Sequence, residues 1–301
     1  MNEMLILGEL PSDAGIIPRT VKRIFQKLQG SDSTVTVNFL ELYNEELTDL
    51  LDPWLDQVDK DGNRKKKVMR IMEEQSTEPG VKLRKGILLT PYPEDCVVTN
   101  EAEILQILQR GSAQRQTAET LLNDKSSRSH SIFVISIHMK ETKSNGEDVI
   151  KIGKLNLVDL AGSENVSRAG SNRREERQRE AGSINQSLLT LGRVINALVD
   201  KSLHVPYRDS NLTRLLRDSL GGSTKTLMIA TISSGECSQE ETFKTLDYAK
   251  RAKSIKNKPE VNQRISKTDL VKDLHAEIKR LKEELVCQRR KEGKDRILVF
   301  T

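Results

Sequence analysis

The chain has 301 residues, 36 % hydrophobic and 31 % charged, with 49 Lys and Arg against 44 Asp and Glu for a net charge of +5. That length suits one large domain with a tail, and so mild a basic bias does not call for a nucleic-acid partner. No apolar run approaches the roughly 18 residues of a membrane span, and the scattered Cys96, Cys237 and Cys287 fit a reducing compartment and argue against a disulfide framework or a zinc site.

Aromatics are only 3 % of the chain, so the core must be built from Leu, Ile and Val. Met1–Leu10 carries acids and no basic stretch, so no secretory leader is expected. Pro11–Gly15 reads as a turn, and a helix is predicted over 18–28, with Val21, Ile24, Phe25 and Leu28 on one face. Thr34–Tyr43 alternates as a strand, and 44–51 reads as a short helix stopped by Pro53. Residues 54–80, with Arg64-Lys65-Lys66-Lys67 inside, read as a long surface loop that could hold short strands. Strand character resumes over 81–89, and a helix is predicted over 100–111, ending at Gly111. Residues 131–140 and 150–160 are two strong strands joined by a polar hairpin.

A polar, Arg-rich loop is expected over 165–179, followed by an amphipathic helix over 184–199 and a shorter one over 212–220 that ends at Gly221-Gly222. Residues 226–233 read as a buried strand, and 240–255 as a helix. Beyond Pro259, Val271, Leu274, Ile278, Leu281 and Leu285 step by three and four, about two heptads of a coiled-coil seam or the apolar face of a docked helix. Strands alternating with helices indicate an α/β domain around a largely central sheet.

Two segments carry chemistry. Leu155-Asn156-Leu157-Val158 runs into Asp159-Leu160-Ala161-Gly162, which sets a carboxylate at the carboxyl end of an apolar strand, where ligands of open α/β sheets bind. The alternative for Asp159 is a cap on the turn that follows. Ser126-Ser127-Arg128-Ser129-His130 offers hydroxyls that can ligate Mg²⁺ and a guanidinium that can pair with a carboxylate, though by itself the run also suits a polar turn. The G-x-x-x-x-G-K-[ST] loop that cradles phosphates at such sites is absent from these residues, and Gly221–Thr226 has the wrong spacing for it.

Asn-x-x-Ser-Ser-Arg-Ser-His at 123–130, Asp-Leu-Ala-Gly-Ser-Glu at 159–164, Ile184-Asn185-Gln186-Ser187-Leu188 and His204-Val205-Pro206-Tyr207-Arg208-Asp209-Ser210 follow one another in this order. Together with Phe39–Glu46 and Tyr248–Lys253 they resemble a kinesin motor domain, over residues 8–290. The runs 184–195 and Asn257–Gln263 resemble the fifth class, the tetrameric spindle kinesins.

The resemblance implies a kinesin-type P-loop NTPase fold, an α/β architecture with a central mixed β-sheet flanked by helices. It implies a microtubule-based motor domain that couples ATP hydrolysis to movement, with Mg²⁺ as cofactor. Microtubules would be the partner, the full-length protein a homo-oligomer, and the location the cytoplasm, cytoskeleton and spindle. Asn123, Ser126, Ser127 and Arg128 match one nucleotide-sensing segment, and Asp159, Gly162 and Glu164 the other. Ser127 would relay a proton beside the magnesium, Asp159 would reach the metal through water, and Arg128 would pair with Glu164. Lys201, Arg208, Arg214 and Arg217 match the microtubule-binding face. Asn211 stands where the family often has lysine, which should weaken track binding.

On this resemblance, 1–257 would be a partial motor domain without its N-terminal strands and phosphate loop, expected to be inactive alone. Residues 258–263 would end the neck linker, 264–292 would form a helical neck and the start of a coiled coil, and 293–301 a tail. A non-catalytic microtubule-binding module and a dimerisation module are the competing readings.

Overall fold

The computed structural model describes residues 12–52, 69–73, 87–90, 95–120, 128–142, 148–163 and 174–265. These fall into two compact units. The first holds the chain up to Lys27, Val35–Ser136 and Lys154–Glu260; the second holds Leu28–Thr34, Ile137–Gly153 and the chain from Val261.

Helix α1 (Ile16–Leu28) leads into strand β1 (Ser33–Tyr43), which turns back into β2 (Glu46–Asp49). The short helix expected over 44–51 is therefore a hairpin. Asn44 and Glu45 both take the left-handed conformation, with φ of 53° and 62°, which lets a two-residue loop follow the twist of the strands. The pairing Tyr43↔Glu46 through Leu40↔Asp49 then satisfies backbone groups across the hairpin. Strands β3 (Arg70–Glu73) and β4 (Ile87–Thr90) pair with each other. Strand β5 (Cys96–Val98), not anticipated from the sequence, pairs antiparallel with the other half of β1.

Helix α2 (Glu101–Thr120) runs well past Gly111, the expected stop. A β-carbon on Gly111 would stand 2.2 Å from Phe39 Cδ1, so this glycine serves close packing on β1 rather than helix termination. Strands β6 (His130–Thr142) and β7 (Asp148–Asp159) come next, as expected. The six-stranded sheet runs β2-β1-β6-β7-β8, with β5 added to β1.

Strand alternation divides the core of the first unit. Leu40, Leu42, Ile132 and Val134 share a cluster with Leu191 and Ile195 of helix α3 (Arg174–Val199) and Leu212 of helix α4 (Asn211–Leu215). The alternate residues Phe39 and Phe133 stack edge to face at 5.3 Å, on the side where Gly111 of α2 packs. Helices thus cover both faces, the α/β arrangement expected. Helix α3 begins at Arg174, so residues 174–179, expected in a loop, are helical. The predicted helix over 212–220 is α4 followed by a 3₁₀ turn at Arg217–Ser219.

The buried strand expected over 226–233 is not formed. Leu227, Met228, Ile229 and Ile232 are 86, 43, 63 and 58 % exposed. Among the described residues no strand pairs with this segment and no backbone hydrogen bond reaches Leu227–Ile232. Apolar composition alone does not bury a run that has no strand on its edges among the described residues. Helix α5 (Gln239–Lys253) matches its prediction.

In the second unit, β8 (Gln263–Ile265) pairs with β7 from Val149↔Ile265 to Lys151↔Gln263. Residues 264 and 265, expected to start a helical neck, are therefore strand. Lys140 N–H donates to Asp32 O at 2.9 Å and Lys151 pairs with Glu141 in the same unit. The heptad seam over 271–285, the basic run 64–67 and the hairpin tip 143–147 lie outside the described residues.

Candidate functional site

The two motif segments meet at adjacent strand ends. β6 starts at His130, just after Arg128 and Ser129, and β7 finishes at Asp159, so the hairpin brings the first residues of one strand beside the last of the other. Asp159 is 74 % exposed in its side chain and stands at the carboxyl end of β7, as the apolar run before it predicts. Gly162 follows in irregular backbone, half-buried, and Arg128 is half-buried at the mouth of β6. Asn123, Ser126, Ser127 and Glu164 lie outside the described residues.

One residue that sequence reasoning missed ties the segments together. Arg115, on the last turns of α2, donates from Nε to Ser129 Oγ at 3.2 Å and from Nη2 to Ser129 O at 3.2 Å. Its Nη1 reaches Asp159 Oδ2 at 3.4 Å, and Glu41 Oε1 lies 3.9 Å from Nε. A planar guanidinium carries five N–H donors in a fixed fork, so its three nitrogens can each face a different acceptor, where a lysine would have one nitrogen to offer. The one signal available in sequence was an arginine about four helical turns into α2; its partners lie 14 and 44 residues away along the chain.

His130 is 2 % exposed and bridges two further elements. Ala161 N–H donates to its Nδ1 at 2.9 Å, and its Nε2 lies 2.7 Å from Ser187 Oγ on α3. A backbone amide can only donate, so Nδ1 carries no proton and the neutral ring donates from Nε2 to the serine. Burial, helped by the positive charge of Arg115 and opposed by Asp159, pushes this histidine down from 6.5 to about 4.

Among the described residues, Asp159 is the exposed carboxylate at these strand ends and Ser129 the hydroxyl that shares Arg115 with it, a sparse donor set. Among the described residues no group of three or more His, Cys, Asp or Glu side chains could hold a metal. A magnesium ion at such a donor set would keep its waters and depend on phosphate oxygens brought by a nucleotide.

The second cluster of predicted residues lies beyond the far end of α3. Ser187 and Val199 are twelve residues apart on this helix, a rise of about 18 Å. Lys201 is exposed in the turn that follows, with φ 53°, and Arg208 is exposed in the 3₁₀ turn Tyr207–Asp209. Arg214 is placed differently. It is half-buried, donating from Nη2 to Ile71 O at 2.9 Å and from Nη1 to Asn211 Oδ1 at 3.4 Å. Arg217 stands over the Tyr207 ring at 5.7 Å, a cation–π distance.

Glu45, held at the tip of the β1–β2 hairpin, fixes this surface. Its carboxylate accepts from Ser210 Oγ at 2.6 Å and from Asn211 N–H at 2.5 Å, and its carbonyl accepts from Asn211 Nδ2 at 2.7 Å. Ser210 Oγ in turn accepts from Leu212 N–H and caps α4. Asn211, the unusual residue of the sequence, is thereby engaged with the hairpin.

The segment after α5 docks along Leu220–Thr226. Asn257 Oδ1 accepts from Gly221 N–H at 2.8 Å, while its Nδ2 donates to Ser219 O at 2.9 Å and Thr224 O at 2.8 Å. Lys258 N–H and Glu260 N–H continue to Gly222 O and Ser223 O. The Gly-Gly-Ser-Thr run therefore serves as a docking strip in this fold.

A family model for the kinesin motor domain matches residues 5–255. The chain is 59 % identical over 290 residues to the kinesin-like protein KIN-5C of Oryza sativa subsp. japonica, covering 95 % of this chain and 28 % of that protein. It is 54 % identical over 282 residues to the kinesin-like protein KIF11-A of Xenopus laevis, covering 93 % of this chain and 25 % of that one. The chain thus spans about a quarter of the length of these relatives. The solved structure of a fast kinesin superposes with a TM-score of 0.68 at 41 % identity, covering 84 % of this chain and 66 % of that one. The chain belongs to the kinesin motor domain family and resembles its fifth class.

Proposed function

We propose that this chain is a microtubule-based motor domain that couples ATP hydrolysis to movement along microtubules, in spindle assembly. The observation that carries this is the placement of α3. One rigid helix touches the Asp159–Gly162 strand end through Ser187 and His130, and it leads into the exposed turn with Lys201, with Arg208 exposed in the 3₁₀ turn beyond. A shift at either end of such a helix is felt at the other.

Asn123 and Ser126 would line the nucleotide, Ser127 and Asp159 would face the magnesium, and Gly162 would offer its amide to the terminal phosphate. Bound ATP with magnesium supplies the phosphoryl group. The chain supplies positioning and electrostatic stabilisation, the usual protein contribution to this transfer. Arg128 and Glu164 would pair and close around the attacking water. In a motor that turns over, Glu164→Ala should lower kcat far more than nucleotide affinity, because that pair forms on closure rather than on capture.

Microtubules are acidic, so an exposed basic turn on a rigid support suits them. Cosedimentation with microtubules across a salt series tests the reading. Affinity should fall with salt, since exposed charge pairs are screened over about 8 Å at physiological ionic strength, and Lys201→Ala with Arg208→Ala should flatten that slope. An unchanged affinity and slope in the double variant would remove this surface. A second reading, microtubule binding without turnover, rests on the exposed Lys201 and Arg208, which suit an acidic track whether or not nucleotide is hydrolysed. Phosphate release stimulated by microtubules separates the two.

A further inference from the structure

We propose that His130 is a positioning residue that ties the Asp159–Gly162 loop to helix α3, so that the loop follows the helix. The inference gives the motor reading its physical link and, for that consequence, rests on it.

Three observations carry it. First, the imidazole has one partner on each side and neither is on its own strand. Ala161 N–H binds Nδ1 at 2.9 Å and Ser187 Oγ lies 2.7 Å from Nε2. Second, all parts are packed away from solvent. His130 is 2 %, Ala161 5 % and Ser187 3 % exposed, so water cannot replace either bond. A buried bond in this setting is costly to leave unmade, which favours movement of the loop and helix together over separation. Third, the ring's chemistry makes the two bonds interdependent. Nδ1 must stay unprotonated to accept from the loop, so the proton sits on Nε2 and faces the helix. A serine or asparagine at 130 would be too short to span both partners. Arg115 holds the neighbouring Ser129 by its hydroxyl and carbonyl, which fixes the strand end from which the ring projects.

The amide of Ala161 is itself the reporter. In the full 301-residue protein, hydrogen exchange read by NMR at Ala161 should be slow. Ser187→Ala leaves the Nδ1 acceptor intact but removes the anchor on α3. It should speed Ala161 exchange by about five- to tenfold, the loss of one hydrogen bond. The amide of Leu50, buried and bonded to Phe39 O at 2.8 Å, should keep its rate. His130→Asn retains an acceptor near the Nδ1 position without the reach to Ser187. It should match Ser187→Ala, and the double variant should add nothing, as expected for two residues acting as one unit.

Unchanged Ala161 exchange in Ser187→Ala would overturn the proposal, as would equal acceleration at Leu50, which would mark a general loss of stability. Additive effects in the double variant would also overturn it. Cosedimentation of the unsubstituted protein with microtubules is scored separately. If it fails while the exchange coupling holds, the motor reading is lost and the strut remains.

Discussion

Two apolar runs of this chain look alike on paper and differ in the fold. Ile132-Phe133-Val134-Ile135 on β6 is 4, 2, 6 and 0 % exposed, whereas Leu227, Met228, Ile229 and Ile232 are 86, 43, 63 and 58 % exposed. Both have the branched and aliphatic residues that favour strands. The difference lies in the neighbours. β6 has β1 and β7 on its edges and helices on its faces, while among the described residues no strand pairs with the second run. Burial belongs to the assembly around a segment, and hydrophobicity only makes it available.

The comparison is sharpest for stability. Phe133→Ala should cost about 3–5 kcal/mol, since a fully packed ring in edge-to-face contact with Phe39 leaves a cavity. Ile229→Ala should cost about 0.5 kcal/mol or less, as an exposed side chain does. Urea unfolding of the two variants measures the contrast. Equal losses would mean that 227–232 is covered in solution.

Acid should act on the β6 end in particular. His130 sits at about 4 in the fold against an ordinary 6.5, so the unfolded chain takes up the proton first. Its contribution is fully present above pH 6.5 and is lost as pH falls toward 4, on the order of 3 kcal/mol in all. Unfolding free energies measured from pH 7 to pH 4 should fall less steeply in His130→Asn than in the unsubstituted protein. Parallel curves would show that the histidine is not held neutral by the fold.

Gly111→Ala probes the opposite face of the same core. The added methyl meets the Phe39 ring, and overpacking of this kind costs about 1–3 kcal/mol. A variant as stable as the parent would show that the ring can move aside.

The smallest expected effects distinguish two arginines that the sequence presents as equals. Arg214→Ala should lower stability by about 1–3 kcal/mol, because it strips the donor from Ile71 O and Asn211. Arg208→Ala should leave stability within about 0.5 kcal/mol, as expected at an exposed site, and lower microtubule affinity at low salt. A thermal melt and a cosedimentation series on each variant read both properties, and a swap of the two patterns would reverse the assignment.

The sequence by itself determined the family, through four ordered motifs, and the strands and helices with strong periodicity, namely β1, β6, β7, the later part of α3, and α5. It also placed Asp159 at a strand end, because an apolar run reports its own direction and terminus. It misread residues 44–51 as helix, since the left-handed pair Asn44-Glu45 that makes the hairpin leaves no periodic trace, and it stopped α2 at Gly111, whose role is contact with Phe39. What only the tertiary structure decided are the links across distance. Arg115 joins Ser129 to Asp159, His130 joins Ala161 to Ser187, Glu45 holds Ser210 and Asn211, and Asn257 binds the strip at 219–224. Each depends on which groups the folded backbone brings within about 3 Å, the reach of a hydrogen bond. Local pattern sets periodicity and end signals over a few residues, whereas these partners are separated by tens to more than a hundred residues and meet only when the sheet has assembled.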